Sequence, residues 1–115
     1  MVKTVLSSAR QGLKDWIIQR VSALVMAFGV VGLLVYFCCH PGITYSDWRG
    51  FFSYDSVKIA AVFVLASMLW HAWIGIWTIF TDYVKCAVLR AGLNLIVLLM
   101  LAACFIWGLI ILWSV

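Results

Sequence analysis

The sequence predicts an all-α membrane protein with three transmembrane helices, and three observations carry that prediction. First, 67% of the 115 residues are hydrophobic and only 10% are charged, with a mean hydropathy of +1.15. A soluble domain carries about 25% charged residues, so a water-soluble globule of this composition could not cover its own surface. The same numbers exclude disorder, which needs low hydrophobicity and high net charge. Second, the charges are not scattered but flank three long apolar runs. Third, those runs contain 19, 23 and 25 residues (Val21–Cys39, Ile59–Thr81 and Ala91–Val115). At about 1.5 Å per residue, each can cross a hydrocarbon core of about 30 Å. Backbone groups in lipid need internal partners and three strands cannot close a barrel, so the runs must be helical.

Taken in order, the whole chain reads as a single membrane domain, residues 1–115, with spans at about 16–39, 59–81 and 91–113. The first helix starts ahead of its apolar run: Leu13, Trp16, Ile17 and Arg20 share one helical face, and Trp16 suits a membrane interface. No small-residue cleavage site follows the run, so a cleaved leader is not expected. Pro41-Gly42 ends the first helix. In the loop 40–58, Thr44-Tyr45-Ser46-Asp47 has the form of a capping box. Behind it, Tyr45, Trp48, Phe51 and Phe52 fit one face of a short interfacial helix. The second loop is expected at 82–90.

Lys and Arg set the orientation. The N-terminal tail and second loop hold Lys3, Arg10, Lys14, Arg20, Lys85 and Arg90, whereas the first loop holds Arg49 and Lys58. The positive-inside rule then places the N-terminus in the cytoplasm and the C-terminus in the periplasm. The net charge of +4 is read as this topology signal, with no nucleic-acid partner implied. Cys38, Cys39, Cys86 and Cys104 form no CxxC or CxxCH pattern, so neither a zinc site nor covalently attached heme is indicated; they read as packing residues.

The second span carries the chemistry. Ser67, His71, Gly75, Thr78 and Asp82 are spaced by 4, 4, 3 and 4 residues, which puts them on one helical face. The rest of the span is bulky and apolar, so this narrow stripe is read as facing protein or cofactor. His71 lies about 15 Å from the end of the span, a depth at which an ionisable group is costly and usually functional. Two readings stay open. A neutral imidazole could ligate a metal, most simply heme iron, or it could hydrogen-bond a neighbouring helix. Gly75, one turn on, would let a flat macrocycle approach the backbone or would serve close helix packing. If His71 binds heme, the second axial ligand is missing, because His40 falls on the far side; the heme would be shared with another chain and suited to electron transfer.

Arg20 could pair with heme propionates or simply snorkel. Tyr83 could donate a hydrogen bond to a quinone carbonyl, with Asp82 orienting it or relaying protons; the alternative is a belt tyrosine beside a loop aspartate. Asn94 reads as an interhelical hydrogen-bonding group. The lack of Glu, with all four Asp outside the spans, argues against a proton-coupled exporter.

The stretch His71-Ala72-Trp73-Ile74-Gly75-Ile76-Trp77, followed by Thr81-Asp82-Tyr83-Val84-Lys85, resembles the small hydrophobic membrane anchor of bacterial succinate dehydrogenase, respiratory complex II. Arg20-Val21-Ser22-Ala23 is similar to that family's first helix. The resemblance implies a membrane anchor that catalyses nothing alone and sits in the bacterial inner membrane. It implies that His71 is an axial ligand of heme b, that Tyr83 contacts ubiquinone with Asp82 as its acidic neighbour, and that Arg20 lies near the propionates and quinone site. It further implies a flavoprotein subunit, an iron–sulfur subunit and a second cytochrome b anchor as partners. Rival readings are a heme-free structural or assembly protein and a fumarate reductase anchor.

Overall fold

The computed structural model describes the backbone of residues 2–115 and the side chains of residues 9–115; Lys3, counted in the charge asymmetry, lies outside the described side chains. The chain is all helical: α1 (Val2–Cys39), α2 (Tyr45–Ser53), α3 (Asp55–Tyr83) and α4 (Ala87–Trp113). By length and apolar composition α1, α3 and α4 can each cross a membrane, in agreement with the three predicted spans. They pack side by side with α3 in the middle, α1 against one flank and α4 against the other. The molecule is 60 Å long and only 27 by 22 Å across. A 38-residue helix of about 57 Å accounts for the long axis.

The helices outrun the apolar runs. Both α3 and α4 begin earlier than their spans, and α3 continues through Asp82 and Tyr83. The loop expected at 82–90 therefore shrinks to residues 84–86, and Arg90 lies inside α4. Hydropathy marks where lipid begins, not where hydrogen-bonded helix ends, and the polar turns keep their helical bonds beyond the apolar stretch.

Between α1 and α3 the chain turns at Gly42, whose φ of +75° is the left-handed conformation that glycine adopts without a Cβ clash. Thr44 then caps α2: its Oγ1 accepts from Asp47 N at 3.3 Å, while Asp47 Oδ2 accepts from Thr44 N at 3.0 Å. This is the reciprocal box read from the sequence. The Thr44 backbone N–H and hydroxyl both point at the Asp47 carboxylate and hold its pKa below the ordinary carboxylate value. Trp48 stacks on Phe37 at 5.2 Å and Phe51 on Tyr36 at 4.1 Å, so α2 is fastened to the end of α1 by aromatic faces. Tyr45, at the first residue of α2, stays 76% exposed and takes no part in this packing.

Among the described residues no hydrophobic side chain is fully buried, and the two buried residues are polar: Ser22 at 6% and Lys58 at 8% exposure. Three helices in a row have no interior in the soluble sense. The outer faces are left open, and the helices meet where small residues let backbones approach. Two glycines do this at one level of α3. A Cβ on Gly29 of α1 would lie 2.6 Å from Val64 Cγ2, and one on Gly108 of α4 would collide with Leu65 Cδ2. The adjacent residues Val64 and Leu65 are thus received by a glycine on each side.

The four cysteines, read from the sequence as packing residues, are all free and exposed, so none is buried within this chain.

Candidate functional site

His71 sits about 18 Å along α3 from Tyr83 and is half-buried against α1. Its Nδ1 lies 3.1 Å from Ser22 Oγ, and its Nε2 lies 3.5 Å from Gln19 Nε2. The Ser22 hydroxyl also donates to the Gln19 backbone carbonyl at 2.9 Å. Gln19 Oε1 is buried with no partner. Neither Gln19 nor Ser22 was singled out for this role by sequence reasoning, because the pairing depends on how α1 is rotated against α3. The one available signal was that both are polar residues within a turn of Arg20, where the apolar run of α1 begins.

The stripe on α3 divides in two. Ser67, His71 and Gly75 are half-buried, while Thr78 and Asp82 are exposed. Thr78 Oγ1 donates to Ile74 O within its own helix at 2.8 Å. A Cβ added at Gly75 would meet nothing within 4 Å, so in this chain Gly75 is not spent on close helix packing. An open backbone position one turn from the only deep imidazole fits the approach of a flat macrocycle, and so does the buried, unpaired side-chain amide oxygen of Gln19 beside the ring nitrogen. The donor set also fits heme, which takes one imidazole from this side: among the described residues His71 belongs to no group of three or more His, Cys, Asp or Glu side chains.

Tyr83 closes α3 and is 80% exposed, with Asp82 exposed beside it. Nearby, Thr81 Oγ1 donates to Trp77 O at 2.8 Å and Arg90 Nη1 to Val84 O at 3.4 Å; among the described residues neither bond engages the Tyr83 or Asp82 side chain. Arg20 is exposed on α1, one residue from Gln19, with its guanidinium 5.4 Å from the Trp16 ring. The fold thus brings Arg20 to the level of His71 and sets Tyr83 and Asp82 toward the end of the bundle. Also at this end, Gln11, Asp15, Ile18, Trp70, Trp73 and Trp77 line a cleft of about 230 Å³ between α1 and α3.

Two polar groups elsewhere add to the sequence reading. Lys58, read from sequence as a loop charge, is buried in the first turn of α3. Its Nζ donates to Val115 O at 3.4 Å and lies 5.8 Å from the Trp113 ring, which ties the start of α3 to the end of α4. Asn94 was expected to bond a neighbouring helix, but its Oδ1 is buried without a partner in this chain.

The fold and this site define a multi-pass, all-helical membrane protein with one deep imidazole and with exposed polar groups toward one end. The comparisons narrow the class. The description "Succinate dehydrogenase/Fumarate reductase transmembrane subunit" matches residues 3–111. A relative from Coxiella burnetii (strain RSA 493 / Nine Mile phase I), named succinate dehydrogenase hydrophobic membrane anchor subunit, is 42% identical over 106 residues, covering 92% of each chain. The chain belongs to the succinate dehydrogenase/fumarate reductase transmembrane subunit family, and within it the chain is a non-catalytic anchor subunit.

Proposed function

We propose that this chain anchors succinate dehydrogenase in a bacterial inner membrane, with its N-terminus cytoplasmic and its C-terminus periplasmic. It would contribute one axial ligand to a heme b shared with a second anchor subunit, and part of the ubiquinone-reduction site. The observation that carries this reading is His71 itself: a lone imidazole about 18 Å from the end of a membrane helix, beside an open glycine and an unpaired amide oxygen. Such a group is costly unless it serves a purpose. Bound there, heme b supplies a one-electron carrier.

The chain's own residues take the following roles. His71 presents a ring nitrogen to the iron. Arg20, at the same level on α1, offers charge-assisted donors to the propionate carboxylates or to the nearby quinone site. Tyr83 donates its phenolic hydrogen to a quinone carbonyl, and Asp82 orients that phenol or passes a proton to it. Reduction of ubiquinone to the quinol consumes two electrons and two protons. The electrons arrive from succinate by way of the flavoprotein and iron–sulfur subunits, which dock on the Tyr83 end. The excess of Lys and Arg at that end supports its cytoplasmic placement. The outward-facing apolar surfaces of α1, α3 and α4 are left for lipid and for the second cytochrome b anchor.

A second reading has one observation in its favour. Ser22 and Gln19 both reach His71, which a heme-free anchor would use to hold α1 on α3. A reduced-minus-oxidised visible spectrum of the purified complex separates the two. Wild type should show a b-type heme signal that His71→Ala removes or alters while the subunits still co-purify. An intact complex whose heme spectrum is indifferent to His71→Ala would overturn the ligand assignment.

A further inference from the structure

We infer that α1 carries a built-in seat for His71, in which Ser22 fixes the imidazole tautomer and Gln19 holds the ligating nitrogen until iron takes its place. The inference rests on the heme reading above and concerns residues to which that reading gives no role.

One hydrogen decides the arrangement. A serine hydroxyl has a single O–H. Ser22 Oγ lies 2.9 Å from the Gln19 backbone carbonyl, whose oxygen can only accept. With the hydroxyl hydrogen committed there, the contact of 3.1 Å between Ser22 Oγ and His71 Nδ1 is a bond only if Nδ1 carries the hydrogen and donates it. A neutral imidazole protonated on Nδ1 has its lone pair on Nε2. The group facing Nε2 agrees: it is the Gln19 amide nitrogen, at 3.5 Å, a donor directed at a lone pair. One imidazole nitrogen is therefore tied down by a hydroxyl, and the other is left as a base.

This is the arrangement that a metal-ligating histidine requires. Its non-ligating N–H is donated to a fixed acceptor, which sets tautomer and ring orientation and raises the basicity of the ligating nitrogen. Ser22 is 6% exposed, so water does not compete for its hydroxyl. Gln19, by contrast, is held loosely. Its one side-chain contact is long, and its Oε1 is buried and unpaired. It protects the Nε2 lone pair at small gain and is easily displaced. Iron held at Nε2 would replace only that one amide contact and would leave the Ser22 bond in place. Ser22 is thus a positioning residue that acts through His71.

Two experiments test this. In the full-length chain, uniformly ¹⁵N-histidine-labelled and heme-free in detergent, the ring nitrogen shifts of His71 should report the Nδ1–H tautomer, with the His71→Ala variant identifying the signal against that of His40. Finding the Nε2–H tautomer overturns the inference, and no variant is needed for that result. In the assembled complex, Ser22→Ala should raise the heme midpoint potential and move the low-spin ferric EPR signal, because the ligand loses basicity. Ser22→Thr, which keeps the hydroxyl, should restore both. A Ser22→Ala complex with the wild-type potential and EPR signal refutes the positioning role while leaving the heme assignment intact. Heme signals unchanged in His71→Ala would instead remove the heme reading on which the seat rests.

Discussion

Gly29→Ala tests the packing that holds α1 on α3, and its magnitude can be worked from two glycines on one helix. In an open helical position, Gly→Ala stabilises by about 1 kcal/mol through backbone propensity. Gly32, where an added Cβ meets nothing within 4 Å, should show that gain. At Gly29 the same methyl would sit 2.6 Å from Val64 Cγ2 and 3.0 Å from Cγ1, against an optimum of about 3.5–4.0 Å. Valine in a helix has essentially one χ1 rotamer, and turning it would only exchange one methyl for the other. The helices must therefore part by about 1 Å, and overpacking of this kind costs about 1–3 kcal/mol. The net expectation is that Gly29→Ala is less stable than Gly32→Ala by about 1–3 kcal/mol. Val64→Ala in the Gly29→Ala background should recover most of the difference, because the two sites are in contact and couple. The assay is SDS titration of the purified full chain in mixed micelles, read by energy transfer between dyes on the adjoining ends of α1 and α3. Equal stability of the two alanine variants, or no rescue by Val64→Ala, would refute the glycine-contact argument. Parting at Gly29 should also weaken the Ser22–His71 bond two turns away, so the His71 ring nitrogen shifts should move in the same variant.

Three further outcomes are expected. Tyr83→Phe keeps the ring but removes the phenolic donor; it should lower succinate–quinone reduction severalfold or more while succinate oxidation with an artificial dye acceptor stays intact, whereas equal loss of both would point to an assembly defect. Lys58→Met keeps the apolar stem but loses the bond to Val115 O and the contact with the Trp113 ring; the end of α4 should loosen by about 1 kcal/mol, seen as a roughly fivefold rise in amide exchange there. Because the Asp47 pKa is lowered on folding, the capping box favours the docked α2 at pH above the ordinary carboxylate range and loses that contribution as the pH falls through the lowered value; protection of α2 amides should drop on acidification, and Asp47→Asn should abolish the pH dependence.

Features that depend on length, composition or near neighbours were legible in the sequence. The three spans follow from charge-free runs, the capping box from Thr44 and Asp47 three residues apart, and the stripe on α3 from helical spacing alone. Features that depend on how one helix is turned against another were not. Nothing local says that Ser22, rather than any other polar residue of α1, faces His71, or that Lys58 is folded inward onto Val115. Boundaries failed for a different reason. Asp82 and Tyr83 read as loop because they are polar, but polarity ends the lipid-facing stretch without ending the helix. Asn94 shows a third kind of limit, since the sequence marks it as an interhelical hydrogen-bonding group without saying which helix meets it, and among the described residues its oxygen stays unpaired.

That unpaired oxygen and the one on Gln19 bear on what sort of folded object this chain is. Buried amide oxygens without partners are costly, more so where lipid excludes water, and two of them stand among the described residues, where no hydrophobic side chain is fully buried. A self-sufficient protein would remove them. A subunit retains them when another molecule supplies the missing groups. The placement bears on this: α3, the helix that carries His71, meets a glycine contact on each flank, from Gly29 of α1 and Gly108 of α4. His71 is held by one neighbour while Gly75 stands open beside it. On the function proposed for the chain, close helix contacts lie along the helix that carries His71, and the unpaired groups are left for a shared cofactor and a second anchor to complete.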